Sequence, residues 1–141
     1  MAAIRDNLQA VSERIARAAA AAGRAPASVR LLAVSKTHPV ALVEEAFRAG
    51  QVAFGENYVQ EALEKIDALT RLVGEPRIRD VEWHLIGPLQ SNKTRLVAER
   101  FDWVQSVSGI KVARRLSEQR SPDRAPLYVL IQVNSSGEAC K

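Results

Sequence analysis

Short apolar runs alternate along the chain with longer stretches in which apolar residues recur every three or four positions. The three- and four-residue spacing predicts amphipathic helices, and the short runs predict strands buried on both faces. A first helix is predicted from Ile4 to a glycine stop at Gly23. Strands are predicted at 29–34, 52–54, 81–86, 101–107 and 127–133, with helices at 40–49, 58–72, 92–100 and 110–119 between them.

This alternation of strand and helix is typical of an α/β fold with a parallel sheet. No change of composition and no linker divides the chain, so residues 1–141 are expected to form one domain or part of one. The length of 141 residues is sufficient for a real core. It is too short for a complete eight-stranded α/β barrel of typical size.

The segment 31–39 carries the strongest chemical signal. The apolar run 29–34 is followed by Ser35 and Lys36, and Pro39 is predicted to open the next helix. Lys36 and His38 are therefore expected at the carboxyl edge of the sheet, where α/β folds build their sites. Two interpretations of Lys36 stay open: a strand-end lysine extending into solvent, or a Schiff-base lysine. The second requires burial, because a lysine with a pKa near ~10.4 is almost fully protonated at neutral pH.

Small or polar residues follow every predicted strand, and parallel strands would bring them to one edge. They are Ser35 and Lys36; Gly55, Glu56 and Asn57; Gly87, Gln90, Ser91 and Asn92; Ser106 and Ser108; and Asn134 and Ser135. Each alone is explained as a turn residue or helix cap, Ser108 in particular. Their joint placement predicts a pocket around Lys36.

His84 lies inside the third predicted strand. A histidine there is more often a core residue than a functional one. If it points away from the helices, its ring is placed to stack on an aromatic ligand near Lys36. Trp83 would then face the helix layer, because neighbouring strand residues point to opposite sides.

Composition excludes several other classes of protein. No apolar run reaches membrane-spanning length and the N-terminus lacks signal-peptide order, so we expect a cytoplasmic protein that does not bind membranes. The net charge is +4, but the basic clusters at 93–100 and 111–124 have no interleaved aromatics, which favours solvated helix faces over nucleic-acid binding. Cys140 is the only cysteine and there are two histidines, so neither an internal disulfide nor a metal site is predicted.

Four motifs resemble the pyridoxal phosphate homeostasis proteins, single-domain relatives of the N-terminal barrel of alanine racemase. They are residues 33–37 (AVSKT), 54–61 (FGENYVQE), 83–93 (WHLIGPLQSNK) and 133–134 (VN). The resemblance implies a TIM-type (β/α)8 barrel of the fold-type III class, with about five β/α units here. It further implies pyridoxal 5′-phosphate held as a Schiff base on Lys36, with Asn57 beside the cofactor ring and His84 in the pocket.

The same resemblance implies a protein of intracellular cofactor supply without robust catalysis, with pyridoxal-phosphate-dependent apo-enzymes as candidate partners. His38 departs from a lysine often found there in bacterial members. Family members continue past Lys141, which matches a lysine of the loop after the fifth strand. We therefore expect a truncated chain that lacks the phosphate-holding loops after strands seven and eight.

Three alternatives stay open. The first is a racemase-like enzyme, which needs a base on each face of its substrate, and the sequence identifies no second base besides Lys36. The second is an aldolase-type barrel in which Lys36 condenses with a keto substrate. The third is an inert fragment. The oligomeric state is not predicted.

Overall fold

The computed structural model describes residues 2–139, in which helices and strands alternate. The helices are α1 Ala2–Ala21, α2 Val40–Arg48, α3 Val59–Val73, α4 Thr94–Arg100 and α5 Ile110–Gln119, and the strands are β1 Ala33–Val34, β2 Ala53–Glu56, β3 Glu82–Leu85, β4 Trp103–Val107 and β5 Tyr128–Ile131. Short 3-10 helices occupy Pro26–Ser28, Arg77–Asp80 and Ser91–Lys93. Cys140 and Lys141 lie outside the described residues.

The strands form one parallel sheet in the order β1-β2-β3-β4-β5. The predicted α/β fold with a parallel sheet is therefore confirmed. Each strand pairs with the next one along the chain, as in the wall of a (β/α) barrel. The sheet is open, so β1 and β5 each have one edge without a strand partner in the described part of the chain.

The hydrophobic core lies between one face of this sheet and the helices. On the sheet side, Phe54 and Trp83 are almost fully buried and their ring centroids are 5.7 Å apart. The helices contribute buried apolar side chains that include Val43, Phe47, Leu63, Ile66, Leu69, Val97 and Leu116. The expectation that Trp83 faces the helix layer is thus confirmed, and the face on which its neighbour His84 lies is the inner face of the sheet.

Both edge strands differ from their predictions. The apolar run 29–34 forms a strand only at Ala33–Val34, and Val34 is 49% exposed, so the prediction of a strand covered on both faces is wrong. The run 127–133 narrows to Tyr128–Ile131, whose side chains are all exposed. The reason is the same at both edges: an edge strand has hydrogen-bonding partners on one side only, and fewer neighbours cover it.

Several element ends also differ. Ser108 does not cap α5, because Gly109 occupies the N-cap position in an extended conformation. Pro39 is the N-cap of α2 instead of its first residue. β2 continues through Gly55 to Glu56, so both residues belong to the strand and not to the loop beyond it. Among residues 2–139, no helix combines the length and hydropathy required to cross a membrane.

Candidate functional site

A row of paired residues crosses the inner face of the sheet. The strand register places side by side Val34, Gly55, His84, Trp103 and Tyr128. Directly paired residues of parallel strands point to the same face, so three aromatic rings follow one another. The His84 and Trp103 rings stack with centroids 5.2 Å apart, and the Trp103 and Tyr128 rings stack at 4.6 Å. We call these three residues the aromatic row.

His84 is 6% exposed and one of its ring nitrogens has an ordinary partner, since Nδ1 lies 3.1 Å from Gln105 Nε2. Its Nε2 is buried and forms no hydrogen bond among residues 2–139, the carboxylate of Glu82 being 3.8 Å away. Burial lowers the pKa of His84 below its ordinary value, against the opposing effect of Glu82. The imidazole is therefore neutral at pH 7. The contact with Gln105 Nε2 is consistent with Nδ1 as the acceptor and with the hydrogen on Nε2.

Lys36 lies in the turn directly after β1. The amide of Ser35 still donates to the carbonyl of Gly55, at 2.9 Å, so the chain leaves the sheet at Lys36. The Lys36 side chain is half-buried, and we find no hydrogen bond or ion pair for it in the described part of the chain. The structure thus places Lys36 at the carboxyl edge of the sheet, the position that the sequence pattern predicts.

Asn57 follows β2 and is half-buried at the same edge. A Cβ added at Gly87 would lie 2.7 Å from the carbonyl oxygen of Asn57 and 2.9 Å from its Cα, so only glycine permits this approach of the loop after β3. The Ser106 hydroxyl donates to the Gly87 carbonyl at 2.7 Å and fixes this loop to β4. The ends of β2, β3 and β4 are therefore packed together.

The register also gives the relative depth of the predicted residues. Val34, Gly55 and His84 lie in one row, and Lys36 and Asn57 each come two residues later in the chain. The row of His84 lies one residue, or about 3.3 Å, before the ends of β2 and β3 at Glu56 and Leu85. Lys36 and Asn57 thus lie at neighbouring strand ends, and His84 lies one row deeper.

A buried ionic network behind Lys36 was not predicted. Lys65, on α3, is 5% exposed and its ammonium donates to the carbonyl of Ser35 at 2.7 Å and to Glu56 Oε1 at 2.6 Å. It also donates to Glu61 Oε1 at 3.0 Å. The Ser35 hydroxyl donates to Glu56 Oε1 at 2.7 Å, and Glu56 is fully buried. The signal in the sequence was a lysine in the apolar stripe formed by Ala62, Ile66 and Leu69.

The network reaches the other side of Lys36 through Glu61. The backbone amide of Thr37 donates to Glu61 Oε1 at 2.6 Å, and Thr37 has a positive φ of 65°. Burial acts to raise the pKa of Glu61, but the hydrogen bonds from Lys65 and Thr37 outweigh it and hold that pKa below its usual value. Glu61 is therefore ionised at neutral pH. We call Ser35, Thr37, Glu56, Glu61 and Lys65 the Lys65 network.

Other predicted pocket residues lie elsewhere or have local roles. Asn134 is exposed and its side-chain amide donates to the carbonyl of Glu138 at 2.8 Å, within its own loop. Ser108 and His38 are exposed. A largely apolar cavity of about 420 Å³ lies between α1, β1 and α2, and Ser35 and His38 line it but Lys36 does not. No group of three or more potential metal ligands occurs among residues 2–139.

The successive parallel β–α units define an α/β-barrel type of protein, and Lys36 follows the first strand at the carboxyl edge of its sheet. Residues 3–138 match the family described as alanine racemase, N-terminal domain. The chain belongs to this family, and its barrel-type fold is thereby confirmed.

Similar proteins agree with this assignment. The chain is 55% identical over 141 residues to the pyridoxal phosphate homeostasis protein of Vibrio cholerae, and it spans 58% of that relative's length. A solved structure of PipY from Synechococcus elongatus, with pyridoxal phosphate bound, is 48% identical with a TM-score of 0.60, over 74% of this chain and 47% of PipY. A crystal structure of an unknown protein from Bifidobacterium adolescentis is 36% identical with a TM-score of 0.83, over 98% of this chain and 57% of that protein's chain.

Proposed function

We propose that this chain binds pyridoxal 5′-phosphate for cofactor homeostasis and that Lys36 holds the cofactor as a Schiff base. The observation that carries the proposal is the half-buried Lys36 amine, which has no partner among the described residues and follows the first strand at the carboxyl edge. The name of the Vibrio cholerae relative and the pyridoxal phosphate bound to PipY support it.

The groups near this edge fit the chemistry of the cofactor. Pyridoxal phosphate supplies an aldehyde, which condenses with a neutral amine to form a C=N bond and release the aldehyde oxygen as water. Lys36 provides the amine once it has lost its proton. Asn57 offers an amide side chain at the neighbouring strand end. His84, one row below, offers for stacking the ring face that Trp103 does not cover. We assign no residue among 2–139 to the phosphate group.

We further propose that this protein binds and releases the cofactor without being an enzyme. The relatives' shared name, pyridoxal phosphate homeostasis protein, supports this role over racemase activity. A racemase would exchange the α-hydrogen of an amino acid for deuterium in heavy water. We expect the loaded protein to exchange it no faster than free pyridoxal phosphate. A faster, Lys36-dependent exchange would favour the racemase-like alternative.

The proposal also covers the cellular setting. We propose that residues 1–141 belong to a single domain, that the protein acts in the cytoplasm, and that apo-enzymes receive the cofactor from it. Transfer to a pyridoxal-phosphate-dependent apo-enzyme is measurable as recovery of that enzyme's activity. Recovery no faster than with an equal amount of free cofactor would contradict the transfer step.

The test of the binding site is the visible absorbance of the protein mixed with pyridoxal phosphate. We expect a Schiff-base band for the wild type, none for Lys36→Ala, and an unchanged band for Lys111→Ala, a control at an exposed lysine on α5. Borohydride reduction followed by peptide mapping should place the label on Lys36. A band that survives in Lys36→Ala would overturn the assignment.

A chimera distinguishes two reasons for a missing Schiff-base band: a binding site that needs further strands, and an incorrect assignment of Lys36. The chain is joined to the remaining C-terminal part of the Vibrio cholerae relative, of which it spans 58%. A Lys36-dependent band in the chimera alone would mean that the site needs the additional strands. Absence of such a band from both proteins would reject Lys36 as the binding lysine.

A further inference from the structure

The backbone on either side of Lys36 is held from behind by one helix. The carbonyl of Ser35 accepts a hydrogen bond from Lys65, and the amide of Thr37 donates one to Glu61. Lys65 and Glu61 both belong to α3 and are bonded to each other at 3.0 Å. The residue that is proposed to react is therefore held between two anchored neighbours.

We propose that Lys65 is a positioning residue for Lys36: with Glu56 and Glu61 it fixes the backbone of residues 35–37 and so directs the Lys36 amine into the site. This inference rests on the proposed function. Lys65 itself does not touch the cofactor, because its ammonium is already engaged by a carbonyl and two carboxylates.

The energetic cost of the network is the first argument for this role. Position 65 lies in the buried stripe of α3. An apolar residue would pack there without the free-energy cost of removing a charged group from water. Replacing a buried ion pair by apolar residues is often neutral or stabilising, so fold stability alone gives little reason for a buried lysine between two glutamates. A requirement to hold polar backbone groups of the 35–37 turn does give one, since an apolar side chain cannot hydrogen bond to them.

The conformation of Thr37 is the second argument. Its φ of 65° is unfavourable for a β-branched residue and persists only where surrounding contacts impose it. The bond from the Thr37 amide to Glu61, at 2.6 Å, is one such contact. Because Thr37 is the next residue after Lys36, relaxation of this φ would redirect the Lys36 side chain.

Two variants and one control test the proposal on the full 141-residue chain. Lys65→Met keeps the length of the side chain and removes the ammonium. The double variant Lys65→Met with Glu56→Gln also removes the carboxylate that would otherwise stay buried without its partner. Lys111→Met, at an exposed lysine on α5, is the matched control.

The first readout is hydrogen exchange of the Thr37 amide, measured by NMR without cofactor. We expect exchange to become at least about tenfold faster in Lys65→Met and in the double variant, and to be unchanged in Lys111→Met. The double variant is expected to recover most of the unfolding stability lost in Lys65→Met, because the fully buried carboxylate of Glu56 is gone and the remaining carboxylate, that of Glu61, is 32% exposed to water. If Thr37 exchange returns to the wild-type rate together with stability, Lys65 is merely structural and the proposal is overturned.

The second readout is the rate at which the Schiff-base band appears per folded molecule. We expect it to fall about 10- to 100-fold in both Lys65 variants, the effect of a misplacement of about 1 Å. A wild-type rate in the double variant would overturn the positioning role. Failure of the proposed function has a different signature: the wild type would then form no Lys36-dependent band, whereas the Thr37 exchange rates would still decide whether Lys65 holds the turn.

Discussion

The imidazole of His84 lies parallel to the indole of Trp103, with 7° between the ring planes and 5.2 Å between the centroids. The register of β3 and β4 produces this contact by pairing the two residues directly. One face of the His84 ring is therefore covered by protein. A ligand that stacks on His84, as we predicted from the sequence, has only the opposite face available.

The aromatic row should contribute measurably to stability. Trp103 contacts His84 on one side and Tyr128 on the other, so Trp103→Ala removes two ring contacts and leaves a gap on the inner face. We expect a loss of about 2–4 kcal/mol in the free energy of unfolding, measured with urea. Trp103→Phe retains a ring and should cost about 1 kcal/mol. Equal losses in the two variants would mean that the stack contributes nothing.

His84 should make the stability of the protein depend on pH. Its pKa is lowered by burial from 6.5, so between 6.5 and the lower folded value the unfolded chain binds a proton that the folded chain does not. The free energy of unfolding therefore falls as the pH decreases below 6.5, and His84 contributes no slope well above that value. We expect His84→Gln to flatten this part of the stability profile.

His38→Gln is the comparison variant, because it replaces the same type of side chain at an exposed position. The slope of stability against pH is measured for both variants by urea unfolding. An unchanged slope in His84→Gln would show that the folded protein accommodates a charged imidazole at this position.

The positions of Lys36 and Trp83 were predictable because they depend on local patterns. An apolar run followed by polar residues and a proline fixes where a strand ends, and alternation along β3 fixes which neighbour of His84 faces the helices. The partners of these residues were not predictable in the same way. Trp103 meets His84 through the register of two strands, and a register depends on the whole sheet.

Lys65 was missed for a different reason. In a helix, a lysine at the border of an apolar stripe ordinarily extends its amine to solvent. The sequence does not reveal that the Ser35 carbonyl and the Glu56 carboxylate reach Lys65 from outside α3. The length of β1 was overestimated because the apolar run 29–34 predicts burial but contains no information on how many of its residues pair with a neighbouring strand. In the structure only Ala33 and Val34 pair with β2.

Gly87 should be intolerant of any side chain. A Cβ there would lie 2.7 Å from the Asn57 carbonyl oxygen, a backbone atom held by β2 and α3. We expect Gly87→Ala to lower the free energy of unfolding by about 2–3 kcal/mol in urea and to weaken cofactor binding by displacing Asn57.

Gly55→Ala is the comparison. A Cβ there would lie 3.0 Å from the end of the Ile86 side chain, which can move, so we expect a loss below about 1 kcal/mol. A larger loss at Gly55 than at Gly87 would contradict this account.

The exposed apolar edge at β5 should promote association between copies of the chain. Ile131 is 79% exposed on an edge strand, and Val133 just beyond it is 76% exposed. Unpaired strand edges with apolar side chains are templates for further pairing, and a lysine on such an edge opposes it. We expect Ile131→Lys to raise the protein concentration at which light scattering appears, by several-fold.

Ile110→Lys, at a residue that is equally exposed (78%) but starts helix α5, should have a much smaller effect, because it leaves the strand edge intact. Equal effects of the two substitutions would indicate that net charge, and not the strand edge, controls association.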